Sequence, residues 1–150
     1  MKISIAIGFV VACGAMRGSL LRAEQATTTT ATAERTTQSG VYSEAQAKRG
    51  EGIYAEKCSS CHGPELAGLD QAPSLTGGEF NTNWNDLAVN DLFERIRISM
   101  PADKPGTLSR QETADVVAFI LQRGSFPAGQ SELSSDAEAL KGIKFLAKKP

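Results

Sequence analysis

The chain has 150 residues, with sixteen Lys and Arg against seventeen Asp and Glu, a single His and a formal net charge of −1. That length suits one domain, and the near-neutral balance argues against a nucleic-acid binder, which is usually basic. Aromatic residues make up 6% of the chain, so the core is modest, and a small domain of that kind commonly relies on an internal staple.

Residues 1–23 read as a leader. Lys2 gives a positive start, and Ile3 to Ala15 is apolar but shorter than the ~20 residues needed to span a bilayer. This is the pattern of a secretory signal. Ala12-Cys13-Gly14 and Leu21-Arg22-Ala23 both approximate a small-residue cleavage site. Val10-Val11-Ala12-Cys13 also has the form of a lipoprotein box; Cys13 would then carry lipid and tether the protein to a membrane. Residues 24–40 are rich in Thr and lack the apolar surface that offsets ordering entropy. They read as a disordered linker that ends at Gly40, so the folded domain is expected over 41–150.

Ser43, followed three residues later by Gln46, is a capping-box signal. Ala47, Gly50, Tyr54 and Cys58 then recur at helical spacing, which predicts a helix from Glu44 to Lys57. Gly50 is a poor helix former, and its place on the apolar face suits close approach by another helix.

The helix leads into Cys58-Ser59-Ser60-Cys61-His62. Two cysteines three apart, with His directly after the second, form the attachment pattern of a c-type haem. Each thiol can form a thioether to a porphyrin vinyl group, and His62 can ligate the iron. A zinc site needs about four ligands, but the chain offers only Cys13 in addition and no second His. A thioredoxin-like pair wants a βαβ context, and no strand-like run precedes Cys58. A disulfide across two residues would be strained and leaves His62 unexplained.

Gly63-Pro64, Gly68, Pro73 and Gly77-Gly78 predict a long loop. Leu66, Leu69, Leu75 and Phe80 are spaced along it, as expected of a cover for a haem face. Trp84 has two readings: packing on the haem edge with Nε1–H toward a propionate, or a core indole with another partner. Asn90 or Asp91 is expected to cap a helix running to Ile98. Ser99-Met100-Pro101 and Pro105-Gly106 follow as a constrained loop. Ser109 with Glu112 is a second capping box, opening a helix to Arg123 with Gly124 as its stop. After the turn Phe126-Pro127-Ala128-Gly129, residues 136–143 suggest one more short helix. No alternating run predicts a sheet. The expected class is all-α, with three to five short helices and loops long enough to wrap a cofactor.

These residues together resemble a class I (monohaem) cytochrome c, over about Val41 to Ile143. The likeness rests on Gly50 and Tyr54 before Cys58-Ser59-Ser60-Cys61-His62-Gly63, on Ala72-Pro73-Ser74-Leu75, on Met100-Pro101 and on Ala118-Phe119-Ile120. It implies the small cytochrome c fold around one covalent haem c. Its first and last helices would cross near Gly50, Tyr54 and Phe119. It further implies that the Pro73 carbonyl receives the histidine's second nitrogen, and that a methionine on a later loop fills the sixth iron position. Of Met1, Met16 and Met100 only Met100 lies outside the leader, and with one His in the chain, bis-histidine ligation within a monomer is excluded.

Leu92 to Leu133 is also similar to the cytochromes that accompany quinoprotein alcohol and sugar dehydrogenases, through Met100-Pro101, Pro105-Gly106-Thr107-Leu108-Ser109 and Phe126-Pro127-Ala128-Gly129. The expected function is one-electron transfer rather than catalysis. The expected partners are redox proteins, with a dehydrogenase as donor and an oxidase or another cytochrome as acceptor. The expected compartment is the periplasm or another exported location, since this attachment is made outside the bacterial cytoplasm. The alternative is a haem enzyme or gas sensor, such as a small peroxidase, with an open iron site.

Overall fold

The computed structural model describes residues 34–70 and 72–147. The leader, Cys13, most of the Thr-rich segment and Lys148-Lys149 lie outside the described residues. The elements in order are β1 (Arg35–Thr36), a 3-10 turn (Thr37–Ser39), α1 (Glu44–Lys57), α2 (Ser59–His62), α3 (Gly77–Trp84), α4 (Val89–Ser99), α5 (Arg110–Arg123), α6 (Ala137–Lys141) and β2 (Ile143–Lys144).

The crossing of α1 and α5 is the centre of the fold. Gly50 is fully packed there: a Cβ built on it would lie 1.9 Å from the Asp115 carbonyl oxygen and 3.0 Å from Phe119 Cβ. One turn on, the Tyr54 and Phe119 rings meet at 5.3 Å, tilted. Their edges and faces attract in such a geometry. The exposed side of the crossing is closed by charge. Arg49 donates to both carboxylate oxygens of the buried Asp115 at 3.0 and 3.1 Å and to both oxygens of Glu132 at 2.9 Å, and Gln111 adds a further bond to Asp115 at 2.9 Å.

The bounds of α1 follow from its caps. Ser43 accepts the Gln46 N–H at 3.2 Å. The Gln46 side chain does not complete the capping box expected from the sequence. It is buried, and its amide bonds both the N–H and the carbonyl of Leu133, at 2.6 and 3.0 Å. In α5 both halves of the box form, with Ser109 Oγ accepting from Glu112 N–H at 3.2 Å and Glu112 Oε2 accepting from Ser109 N–H at 2.8 Å. Beyond Gly124 the left-handed position is held by Ser125, at φ 61°. Phe126 N–H then reaches back to the Leu121 carbonyl at 3.0 Å and Ser125 N–H to that of Gln122 at 2.9 Å, the pairing of a Schellman motif.

Three expectations about the organisation of the chain are corrected as well. The first is the linker. Within it, residues 34–40 are folded: Arg35 and Thr36 pair in parallel with Ile143 and Lys144, and Thr37 is buried. Thr37 Oγ1 donates to the Leu146 carbonyl at 3.0 Å and accepts its N–H at 2.9 Å. The folded part therefore includes residues 34–40, ahead of Val41. The second is the absence of strands, since this parallel pair and an antiparallel bridge of Ala88 to Lys144 are present. Two-residue strands leave no period to read. The third is the loop after His62, whose last part, Gly77 to Trp84, is helical.

The last helix is shorter than expected, ending at Lys141, with Asp136 as its cap at 2.9 Å from Ala139 N–H. Helix α4 begins one turn earlier than expected, at Val89, and Asp91 serves it by accepting the Ala88 N–H at 3.1 Å. The segment after α5 runs back along the N-terminal one as a strap. Tyr42 Oη donates to the Phe126 carbonyl at 2.7 Å, Gly129 N–H to that of Tyr42 at 2.7 Å, and Lys144 pairs with Glu34 at 2.7 Å. Its apolar side chains Leu140, Ile143 and Phe145 are buried, and the Phe145 ring meets those of Phe80 and Phe126 at 6.0 and 5.2 Å.

Candidate functional site

Helix α1 ends at Cys58, whose N–H bonds the Tyr54 carbonyl at 2.9 Å. The chain turns at once into α2, where Cys61 and His62 N–H groups both reach the Cys58 carbonyl, at 3.1 and 3.0 Å. Both thiols and the imidazole thus sit within one helical turn. Both cysteines are free thiols, Cys58 half-buried and Cys61 exposed. Burial pushes the Cys58 thiol up to about 11, with Lys57 opposing the rise and Cys61 adding to it.

His62 is buried, and its Nδ1 lies 2.9 Å from the Pro73 carbonyl oxygen. A carbonyl can only accept, so Nδ1 is the protonated nitrogen, and in the neutral ring Nε2 is the one with the lone pair. The turn is anchored from behind by Tyr54, whose hydroxyl donates to the Gly63 carbonyl at 2.6 Å. Burial, and after it the neighbouring Cys58, raises the Tyr54 hydroxyl to about 12, while Arg123 opposes the rise. Tyr54 therefore stays a hydrogen-bond donor at neutral pH.

The hydrogen bonds bring Cys58, Cys61, His62 and Pro73 into one unit. Met100 and Trp84 are carried by other elements, and both are half-buried against the core. Met100 follows α4, its N–H bonded to the Ile96 carbonyl at 2.9 Å. Trp84 ends α3, and its ring meets that of Phe80 at 6.2 Å. Of the loop leucines, Leu66 is fully buried, Leu75 half-buried and Leu69 exposed. Sequence reasoning missed Ser74, which ties the loop together; its only signal was its place after Pro73.

The donor set fits a haem better than a bare ion. Two thiols in one turn match the two vinyl groups, one imidazole nitrogen is kept free for a metal, and a thioether lies on a separate loop. Among the described residues no cluster of three or more His, Cys, Asp or Glu could hold a metal ion.

A short helical domain with this turn defines a class, the monohaem class I c-type cytochromes. The chain belongs to the family described as cytochrome c oxidase, cbb3-type, subunit III, whose model matches residues 45–120, half of its length. Membership implies a haem c and a role in carrying electrons. Among solved structures, the crystal structure of the sulfane dehydrogenase SoxCD from Paracoccus pantotrophus is similar in part. Identity is 27% and the TM-score 0.46, over 53% of this chain and 44% of that one. The chain thus spans less than half of the length of that relative.

Proposed function

We propose that the protein is an exported one-electron carrier with a single haem c, held through Cys58 and Cys61 and ligated by His62 and Met100. The observation that carries this is the bond between buried His62 Nδ1 and the Pro73 carbonyl at 2.9 Å. It fixes the tautomer and orients the ring with Nε2 presented as a ligand. When bound, the haem supplies one-electron exchange between ferric and ferrous iron.

The residues set the terms of that exchange. The thioether of Met100 is soft and favours ferrous iron, which raises the potential. Held by both His62 and Met100, the iron would keep no coordination position for a substrate or a gas. Tyr54 and the packed helix crossing hold the Cys58–His62 turn rigid, so little reorganises when the charge changes. Residues 1–23 act as the export leader. The partners are redox proteins: a quinoprotein dehydrogenase is the proposed donor, and an oxidase or a second cytochrome the acceptor.

Mass spectrometry and reduced-minus-oxidised spectra of the exported protein test this reading. One haem should remain attached after denaturation and be lost when Cys58 and Cys61 are both replaced by Ala. The ferrous protein should not bind carbon monoxide. A high-spin ferrous form that takes up carbon monoxide would point instead to an enzyme or sensor with an open iron site.

A further inference from the structure

Residues 63–70 and 72–76 lie side by side as two limbs, with Pro73 on the second. Gly68 N–H donates to the His62 carbonyl at 2.9 Å, and Leu75 N–H to that of Leu66 at 2.9 Å. Leu69 and Ala72 form an isolated bridge. The Ser74 hydroxyl faces two carbonyls, Leu66 at 3.1 Å and Thr76 at 2.6 Å, and accepts the Thr76 N–H at 3.3 Å. The pairing of the limbs leaves no slack. Gly68 is at φ 80°, and a Cβ on it would lie 2.5 Å from the Ala72 carbonyl oxygen and 2.8 Å from the Pro73 carbonyl carbon. Leu66 is at φ 60° with its side chain fully buried. A left-handed leucine is costly and persists only where its surroundings over-determine it. Here burial of the side chain and the bond from Leu75 N–H to its carbonyl do so, with the Ser74 hydroxyl 3.1 Å from the same oxygen.

We propose that Ser74 and Gly68 are positioning residues, which clamp the Pro73 carbonyl onto His62 Nδ1 and thereby tune the reduction potential of the bound haem. The proposal rests on the reading of His62 as an iron ligand. A short bond from Nδ1–H to a carbonyl makes the imidazole a stronger donor, which favours ferric iron. Ser74 acts on its neighbour's carbonyl because its hydroxyl sits between the Leu66 carbonyl of the other limb and the Thr76 carbonyl of its own, with one proton to share, beside the backbone bond from Leu75 to Leu66. Gly68 acts from the other side by leaving room for it, since a Cβ there would lie 2.8 Å from the Pro73 carbonyl carbon. Outside the loop, the ion pair of Glu65 with Arg123 fastens the loop to α5.

The test compares the haem-loaded full chain with Ser74→Ala, Ser74→Thr and Gly68→Ala, by redox titration and by hydrogen exchange of the His62 ring N–H. Ser74→Ala should lengthen the bond and raise the potential. The ferrous-to-ferric ratio at a fixed ambient potential should increase ~3- to 10-fold, tenfold being ~59 mV for one electron. Its ring N–H should exchange faster. Ser74→Thr keeps the hydroxyl and should restore both values, while Gly68→Ala should move both in the same direction as Ser74→Ala. A Ser74→Ala protein that only melts earlier, with potential and exchange unchanged, overturns the proposal. So does failure of both Ser74→Ala and Gly68→Ala to hold haem, since the loop would then serve attachment. The ligand reading is tested separately in the wild type: there, a ring N–H signature of an unligated His62 refutes that reading, whatever the variants do.

Discussion

Helix α1 carries two glycines two residues apart in opposite environments, and they give a sharp test of the helix crossing. A Cβ at Gly50 would lie 1.9 Å from the Asp115 carbonyl oxygen, whereas a Cβ at Gly52 meets nothing within 4 Å. Real Cβ contacts essentially never fall under 3.0 Å, so Gly50→Ala requires the helices to part locally by at least 1.1 Å (3.0 − 1.9). The obstacle is backbone and cannot rotate away. Overpacking of this kind costs about 1–3 kcal/mol, against ~1 kcal/mol returned by the better helix propensity of Ala. Gly50→Ala should therefore destabilise by up to about 2 kcal/mol net. Gly52→Ala collects the propensity gain alone and should stabilise by up to ~1 kcal/mol. The variants differ by the overpacking cost alone, and at about 4 °C per kcal/mol their melting points should differ by ~4–12 °C. Thermal melts of equally haem-loaded proteins, followed by far-ultraviolet circular dichroism, measure the difference. Equal shifts of the same sign would refute the close crossing.

Replacing residues 1–33 with an unrelated export leader should leave the melting point unchanged, while deletion through residue 40 should lower it. The second deletion removes the β1 pairing and the Thr37 bonds to Leu146, at about 1 kcal/mol per hydrogen bond. Equal melting points for the two would show that residues 34–40 do not hold the strap. Acid stability supplies a further check. Glu112 sits below the ordinary carboxylate range, chiefly through its bonds to the Ser109 backbone and hydroxyl, with Lys57 contributing less. A depressed carboxylate adds stability above its unfolded pKa, and that stability is lost as pH falls through its folded value. Glu112→Gln should therefore lower stability at neutral pH and make its loss on acidification shallower. Parallel curves of stability against pH would contradict this.

Much of this was legible in the sequence where a local rule operates. The bounds of α1 and α5 could be read because Ser43, Ser109 and Glu112 act within four residues of themselves, and the Cys58–His62 turn because its chemistry needs a fixed spacing. The strap was hidden, since Thr37 and Leu146 are over a hundred residues apart and two-residue strands carry no alternation. Gln46 looked like half of a capping box because Ser43 preceded it. Only the folded chain brings Leu133 close enough to claim its amide. Helix α3 was obscured by Gly77-Gly78, which read as loop but lie at its exposed first turn. The role of Ser74 depends on the left-handed Leu66, and nothing in a leucine announces that conformation.

The central claim is that His62 and Met100 hold opposite faces of one covalently attached haem, and Met100→Ala tests it most directly. The measurement is the oxidised absorption spectrum together with redox titration, beside the wild type. A far-red sulfur-to-iron charge-transfer band is expected in the wild type. In Met100→Ala the haem should stay attached, the band should vanish, the potential should fall and ferrous iron should bind carbon monoxide, because the thioether that favours ferrous iron is gone. A Met100→Ala protein that keeps the band and refuses carbon monoxide would contradict the account and make Met100 a packing residue.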